Sequence, residues 1–179
     1  MEGGGDKLRV GVLGFGTVGS GVIEMLLKED FELKKVLVRD VEKERDVAVE
    51  REILTQNANE IINSPDIDVV IEAMGGAEPA FTYLKEALIN GKHIITANKV
   101  VICERGRELF DIARKNGKFI GIRGTFVGCH SLIHDLSSRL KEGRIRKLSA
   151  ILNGTTTVSY THLRAHETRH DLVCRLLLE

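Results

Sequence analysis

The sequence carries no net formal charge: 26 lysines and arginines balance 26 aspartates and glutamates. Nothing therefore draws the chain to nucleic acid or to an anionic membrane surface. No apolar run approaches the ~18 residues that a membrane-spanning helix needs. The opening Met1-Glu2-Gly3-Gly4-Gly5-Asp6 has no charged region followed by an apolar one, so it is not a secretory signal and reads as a disordered leader over residues 1–6. Cysteine is scarce. Cys103, Cys129 and Cys174 are far apart and odd in number, and no C-x-x-C occurs, which suggests neither a disulfide framework nor a cysteine zinc site. No internal repeat is visible. These absences fit a cytoplasmic protein. A chain of 179 residues is long enough to bury a core and suits one domain plus part of another.

What is present is concentrated near the start. Leu8 to Leu13 is a short apolar run of the kind that forms a buried parallel strand. Gly14-Phe15-Gly16-Thr17-Val18-Gly19 follows at once as a G-x-G-x-x-G, and an apolar helix pattern opens there through Val18, Val22, Met25 and Leu26. A second run, Leu33 to Val38, ends in Arg39-Asp40, with Asp40 placed 21 residues after Gly19. This is the spacing of a dinucleotide-binding unit. Gly14 permits the tight turn, Gly16 lets the backbone approach a pyrophosphate, and Gly19 allows close helix packing. The helix N-terminus turns unpaired N–H groups towards the phosphates. Asp40 would accept from a ribose 2′-hydroxyl and favour NAD, whereas Arg39 would hold a 2′-phosphate and favour NADP. The two residues disagree, and the choice stays open on the residues alone.

The rest of the chain alternates strands and helices. Residues 41–56 are charged and read as a solvated loop with one helical turn at most. Asn57 is placed to cap a short helix over 58–63, closed before Ser64-Pro65. A strand over Ile67–Ala73 ends in Met74-Gly75-Gly76, and a helix beginning near Pro79 buries Phe81, Leu84, Ala87 and Leu88 until Gly91. A strand at 93–96 leads to Ala97-Asn98-Lys99, a helix through Leu109, Ile112 and Ala113 stops near Gly117, and a strand follows at 119–122. A further helix carries Leu132, Ile133, Leu136 and Leu140, and a strand over Ile145–Leu152 precedes Asn153-Gly154-Thr155-Thr156. The expected fold is α/β: a doubly wound, mostly parallel, Rossmann-like sheet, followed by the start of a substrate domain.

Four motifs carry a resemblance to the homoserine dehydrogenase family: Gly-Phe-Gly-Thr-Val-Gly-Ser-Gly-Val (14–22), Asp-Val-Val-Ile-Glu-Ala-Met-Gly-Gly (68–76), Gly-Lys-His-Ile-Ile-Thr-Ala-Asn-Lys (91–99) and Ile-Leu-Asn-Gly-Thr-Thr (151–156). The resemblance implies an NADP- or NAD-dependent interconversion of aspartate 4-semialdehyde and homoserine, in the biosynthesis of threonine, methionine and isoleucine. It implies a cofactor-binding domain over 7–130 and the start of the substrate domain over 131–157. By the same resemblance Lys99 is catalytic or positions the cofactor. As an ammonium beside the nicotinamide it could polarise a carbonyl or relay a proton. Gly75, Gly76 and Thr96 would line the cofactor cleft, and Asn153, Gly154, Thr155 and Thr156 would hold the amino-acid end of the substrate. The full-length protein would be a homo-oligomer. A stand-alone dinucleotide-binding or sensor domain is the rival reading, although such a domain needs neither Lys99 nor the Asn-Gly-Thr-Thr loop.

Two departures stand out. Arg123-Gly124-Thr125-Phe126-Val127-Gly128-Cys129-His130-Ser131 replaces the family's Glu-Ala-[Ser/Thr]-Val stretch. Arginine offers no acceptor, so no metal site is carried over. Cys129 and His130 are neighbours in an extended stretch and point to opposite sides, which argues against a nucleophile pair. From Val158 the family pattern stops. His166-Glu167-Thr168-Arg169-His170 is formally an H-E-x-x-H, but a catalytic zinc needs a scaffold and supporting partners for which the nine remaining residues leave no room. Residues 158–179 resemble translated sequencing-adapter read-through and are expected to be non-native, leaving the enzyme truncated and this chain inactive. Re-reading the source DNA from an independent library is expected to replace Val158 onward with an Asn-Tyr-Ile-like continuation. Recovery of the same tail would refute this.

Overall fold

A computed structural model describes residues 7–122 of the chain. The chain divides between Ile122 and Arg123, and the described residues belong to the first unit. The expected helix and strand over 132–152, the Asn153–Thr156 loop, the domain boundary at 130 and the 158–179 tail all lie outside the described residues.

Six strands form one sheet: β1 (Leu8–Leu13), β2 (Phe31–Leu37), β3 (Leu54–Thr55), β4 (Val69–Glu72), β5 (His93–Thr96) and β6 (Ile120–Gly121). Their order across the sheet is β3-β2-β1-β4-β5-β6, and every neighbouring pair is parallel. The helices are α1 (Thr17–Lys28), α2 (Asn59–Ile62), α3 (Ala80–Ile89) and α4 (Lys99–Lys115). This is the doubly wound arrangement expected from the alternation. The strand order reverses between β1 and β4, which opens a crevice at their carboxyl ends.

Strand alternation sorts the core into two layers. Val10 and Val12 of β1 face a cluster with Ile23, Leu26, Val36 and Val38. Leu13 faces the opposite cluster, with Ile61, Ile62, Val70, Leu84, Leu88, Ile94 and Leu109. Gly11 points the same way as Leu13, and an added Cβ there would stand 2.5 Å from Ile61. Glu72, two residues after Val70 in β4, takes the α3–α4 side of the sheet.

Asparagine side chains bond to backbone N–H groups at the starts of α2 and α4. Asn57 Oδ1 accepts from the Asn59 N–H at 3.1 Å, and Asn98 Oδ1 accepts from the Val101 N–H at 3.2 Å at the start of α4. Gly91 and Gly117, after α3 and α4, have φ of 76° and 63°. α3 buries Phe81, Leu84, Ala87 and Leu88, as its spacing predicts. Pro79 stands at the N-cap rather than within the first turn, after a cis Glu78–Pro79 bond.

Two expectations need correction. α1 buries Gly19, Ile23 and Leu26; of the expected Val18, Val22, Met25 and Leu26, Leu26 is buried and Val22 packs against the same core, whereas Val18 and Met25 are 54% and 69% exposed. The close approach of Gly19 to the preceding turn sets the rotation of the helix, so residues four and seven positions later turn inward. Residues 41–56 are not merely solvated: Val41, Val47, Val49, Ile53 and Leu54 pack against the α1-side core. This segment also contributes the edge strand β3, which is too short to show a period of two.

One ion pair joins the amino ends of β1 and β4. Arg9 donates to Asp68 from its terminal nitrogen at 2.7 Å, its Nε at 3.0 Å and its backbone N–H at 3.1 Å. The Arg9 hydrogen bond holds the Asp68 carboxyl down to about 2. A carboxyl depressed in the fold contributes fully above its ordinary value and loses that contribution as pH falls towards 2. Asp68→Asn is expected to lower stability at pH 7 by about 1 kcal/mol, discounted for the partial exposure of the pair. The difference from wild type should shrink between pH 4 and pH 2, as read by urea unfolding at a series of pH values.

Candidate functional site

The first wall of the crevice is the glycine turn between β1 and α1. Gly14 has φ +104°, and an added Cβ would meet the Ala73 carbonyl oxygen at 2.9 Å. A Cβ on Gly19 would stand 2.1 Å from the Gly14 carbonyl oxygen, so this glycine packs the helix onto its own entry turn. Gly16 is different: nothing lies within 4 Å of its would-be Cβ, and the backbone is open to an incoming group. Gly16 is also the N-cap of α1. It offers no side-chain cap, and the first turn holds no acid, which leaves the helix end receptive to an anion. Thr17 and Val18 are exposed in that first turn, and Phe15 is half-buried.

The second wall lies past β2. Arg39 and Asp40 are both exposed there. Asp40 Oδ1 accepts from the Glu42 N–H at 2.9 Å, which turns one carboxylate oxygen back into its own loop. Gln56 donates to the Arg39 carbonyl at 2.6 Å and steadies the strand end from β3. Arg45 reaches back across this loop, with its guanidinium carbon 5.0 Å from the centre of the Phe15 ring.

The floor is built around Glu72, the last residue of β4 and fully buried. Its Oε1 accepts from the N–H groups of Met74 at 2.8 Å and Gly75 at 3.2 Å, and from Asn98 Nδ2 at 3.4 Å. Its Oε2 accepts from the Thr96 hydroxyl at 2.5 Å. Thr96 Oγ1 in turn accepts from the Asn98 N–H at 2.9 Å, and Asn98 Nδ2 donates to the Gly76 carbonyl at 2.6 Å. One carboxylate thereby fixes both the loop after β4 and the corner between β5 and α4. Gly75 and Gly76 hold φ of 77° and 78°, a left-handed conformation that glycine adopts without strain. Nothing crowds the Gly75 Cβ direction. Lys99 is the first residue of α4 and is exposed.

The structure thus gathers the glycine turn, Gly75–Gly76 and Thr96–Lys99 at the carboxyl ends of β1, β4 and β5, with Arg39–Asp40 at the end of β2. Thr96 differs from its expected part. It is 1% exposed and its hydroxyl is engaged within the corner, so its side chain holds the corner in place of lining the cleft. Glu72, Asn98 and Arg45 were not singled out from sequence. For Glu72 a signal existed: one of two acids in the run Ile67–Ala73, it follows Val70 by two residues, at a position that alternation assigns to the interior. Among the described residues no group of three histidines, cysteines or acids could hold a metal ion, and no helix is long and apolar enough to cross a membrane.

Residues 14–122 match the family model described as the homoserine dehydrogenase NAD-binding domain. Homoserine dehydrogenase of Bacillus subtilis is 38% identical over 178 residues, covering 94% of this chain and 41% of its own length. That coverage carries the match past residue 157. The Synechocystis homoserine dehydrogenase is 36% identical over 174 residues, covering 93% of this chain and 40% of its own. Among solved structures, Staphylococcus aureus homoserine dehydrogenase at pH 7.5 superposes with a TM-score of 0.61 at 38% identity, covering 66% of this chain and 33% of that one. Homoserine dehydrogenase from Thiobacillus denitrificans gives 0.65 at 29% identity, over 76% and 34%. The chain spans about 40% of the length of the curated relatives it matches.

The Glu72 network yields a prediction. Glu72→Gln keeps the shape but turns an N–H towards a donor, and Glu72→Ala orphans every group the carboxylate satisfies. Expected losses are about 1–2 kcal/mol for Gln and about 3 kcal/mol or more for Ala, measured by thermal and urea unfolding. Equal, small losses would remove Glu72 from its central place.

Proposed function

The chain belongs to the homoserine dehydrogenase family through its NAD-binding domain, and on that premise we propose that residues 7–122 bind NADP or NAD across the carboxyl ends of β1 and β4. The observation that carries this reading is the open approach to Gly16 at an uncapped helix N-terminus, flanked by two left-handed, side-chain-free positions at Gly75 and Gly76. The residues present fit the group. The turn and the α1 N–H groups would take the pyrophosphate, Arg39 and Asp40 the adenosine ribose, and the Gly75–Gly76 backbone the nicotinamide side. The cofactor, when bound, supplies or accepts the hydride. The preference for NADP rests on Arg39, which has no ion pair or side-chain hydrogen bond among the described residues, while Asp40 already accepts within its own loop.

The whole protein then interconverts aspartate 4-semialdehyde and homoserine, on the route to threonine, methionine and isoleucine. Lys99, set in the opening turn of α4 by the Asn98 cap, would orient at the substrate carbonyl and hold a proton there. An ammonium at a helix N-terminus works against the helix dipole, a placement that a purely structural lysine gains nothing from. Asn153, Gly154, Thr155 and Thr156 would hold the substrate's amino-acid end. A cytoplasmic setting and a homo-oligomeric full-length protein belong to the same proposal. The alternative is a dinucleotide-binding domain that performs no chemistry. The zero net charge and the six-stranded sheet permit it.

Calorimetric titration of the 179-residue chain with NADPH, together with an assay for aspartate semialdehyde reduction, is expected to give binding without turnover. In a protein extended to the family's length, Lys99→Ala should lower turnover about 100-fold or more and change the NADPH dissociation constant by no more than about twofold. Turnover that survives Lys99→Ala would favour the non-catalytic reading of this corner.

A further inference from the structure

Arg45 lies in the irregular segment after β2, outside every motif that the sequence carries. It nonetheless reaches the two walls of the crevice at once. One terminal nitrogen donates to the Asp40 carbonyl at 2.5 Å and the other to the Lys43 carbonyl at 2.7 Å. Its guanidinium lies over the ring of Phe15, the residue between the first two glycines of the turn. Two carbonyl contacts and one aromatic face fix the plane of the group. A guanidinium has five N–H donors, and these contacts leave some of them unused. The Nε is buried and has no hydrogen-bond partner.

Arg45 makes no ion pair among the described residues. Glu42, an acid of the same loop, is paired with Arg51. Asp40, between Arg39 and Arg45 in the sequence, directs an oxygen to the Glu42 N–H. Lys43, Glu44 and Asp46 are exposed on the rest of the loop. Arg39, at the strand end where a dinucleotide presents its ribose, is exposed, and Arg45 is pre-set on the Asp40 carbonyl beside it and against the glycine turn. A planar fork with unused donors matches a phosphate far better than a neutral hydroxyl.

We infer that Arg45 is a specificity-determining residue that, together with Arg39, takes the 2′-phosphate of NADP. This rests on the dinucleotide-binding reading of the same site. The rival role for Arg45 is a staple that shapes the loop and has no preference between cofactors.

The test uses the full chain and measures binding, with NADPH and NADH titrated separately into wild type, Arg45→Met and Arg45→Lys. Methionine keeps apolar bulk over Phe15 and removes the charge, and lysine keeps the charge without the fork. The expected result is an NADPH affinity lowered about tenfold by Arg45→Met and less by Arg45→Lys, with NADH affinity changed by less than about twofold. The wild-type preference for NADPH should also fall as salt is raised, and this salt dependence should weaken in Arg45→Met. Parallel loss of both cofactors would overturn the inference in favour of the staple, and unchanged affinities would overturn it outright. Wild type that binds neither cofactor would instead sink the dinucleotide reading and the inference with it.

Discussion

A buried carboxylate with no cation beside it must be satisfied by hydrogen bonds or be expelled from the fold. Glu72 is such a group, and its four donors come from Met74, Gly75, Thr96 and Asn98. They belong to two separate connections, the loop after β4 and the corner after β5. Neither connection can move without leaving Glu72 short of a partner, so each holds the other in place. The Ala97 N–H adds a bond to the Glu72 carbonyl at 3.2 Å, which ties the corner to β4 through the backbone as well. The open glycines at 75 and 76 and the first turn of α4 are thereby held at the point where the strand order reverses.

The glycine turn is constrained differently, by contact. Gly14 and Gly19 leave no space for a side chain, since an added Cβ on either would come within 3 Å of a backbone carbonyl oxygen. That crowding locks α1 against the end of β1 and leaves Gly16 as the exposed, uncrowded position between them. The turn is thus rigid where it meets the protein and open where it meets a ligand. Preorganisation of this kind lowers the ordering cost of binding. Across the crevice, the loop after β2 has no regular structure of its own. It is held by Val41, Val47 and Val49 on the core and by Arg45 on two carbonyls.

The legibility of the sequence follows from these differences. Strands covered on both faces read as near-continuous apolar runs, and β1 and β4 are visible for that reason; β5 is visible as a short apolar run although Ile95 stays exposed. Helix stops at Gly91 and Gly117 are visible because only glycine adopts the required φ cheaply. The glycine fingerprint announces itself because Gly14 and Gly19 each have a steric reason to lack a side chain, with the uncrowded Gly16 between them. What the sequence hides is anything decided by tertiary contact. The rotation of α1 depends on Gly19 meeting Gly14, which periodicity cannot reveal, and the edge strand β3 has only two residues. The roles of Glu72 and Asn98 are hidden too, because they lie some two dozen residues apart in the chain. Arg45 could be read only as one charge among many.

The two hidden networks sit at separate places along the crevice. Glu72 with Thr96 and Asn98 serves the end of the crevice where Lys99 stands. Arg45 with Phe15 and Asp40 serves the opposite end, beyond the glycine turn. They share no residue and no hydrogen bond, so changes in one should add to changes in the other when expressed as free energies. Charged residues of the loop after β2 can therefore change without disturbing the corner that holds Lys99 in the first turn of α4. The loop is irregular and anchored by a few apolar side chains, so substitutions among its charged residues leave the core intact. The corner has no such freedom, since a change at Glu72, Thr96 or Asn98 exposes a buried polar group to a missing partner. Variation is tolerated in the loop after β2 and not in the corner after β5.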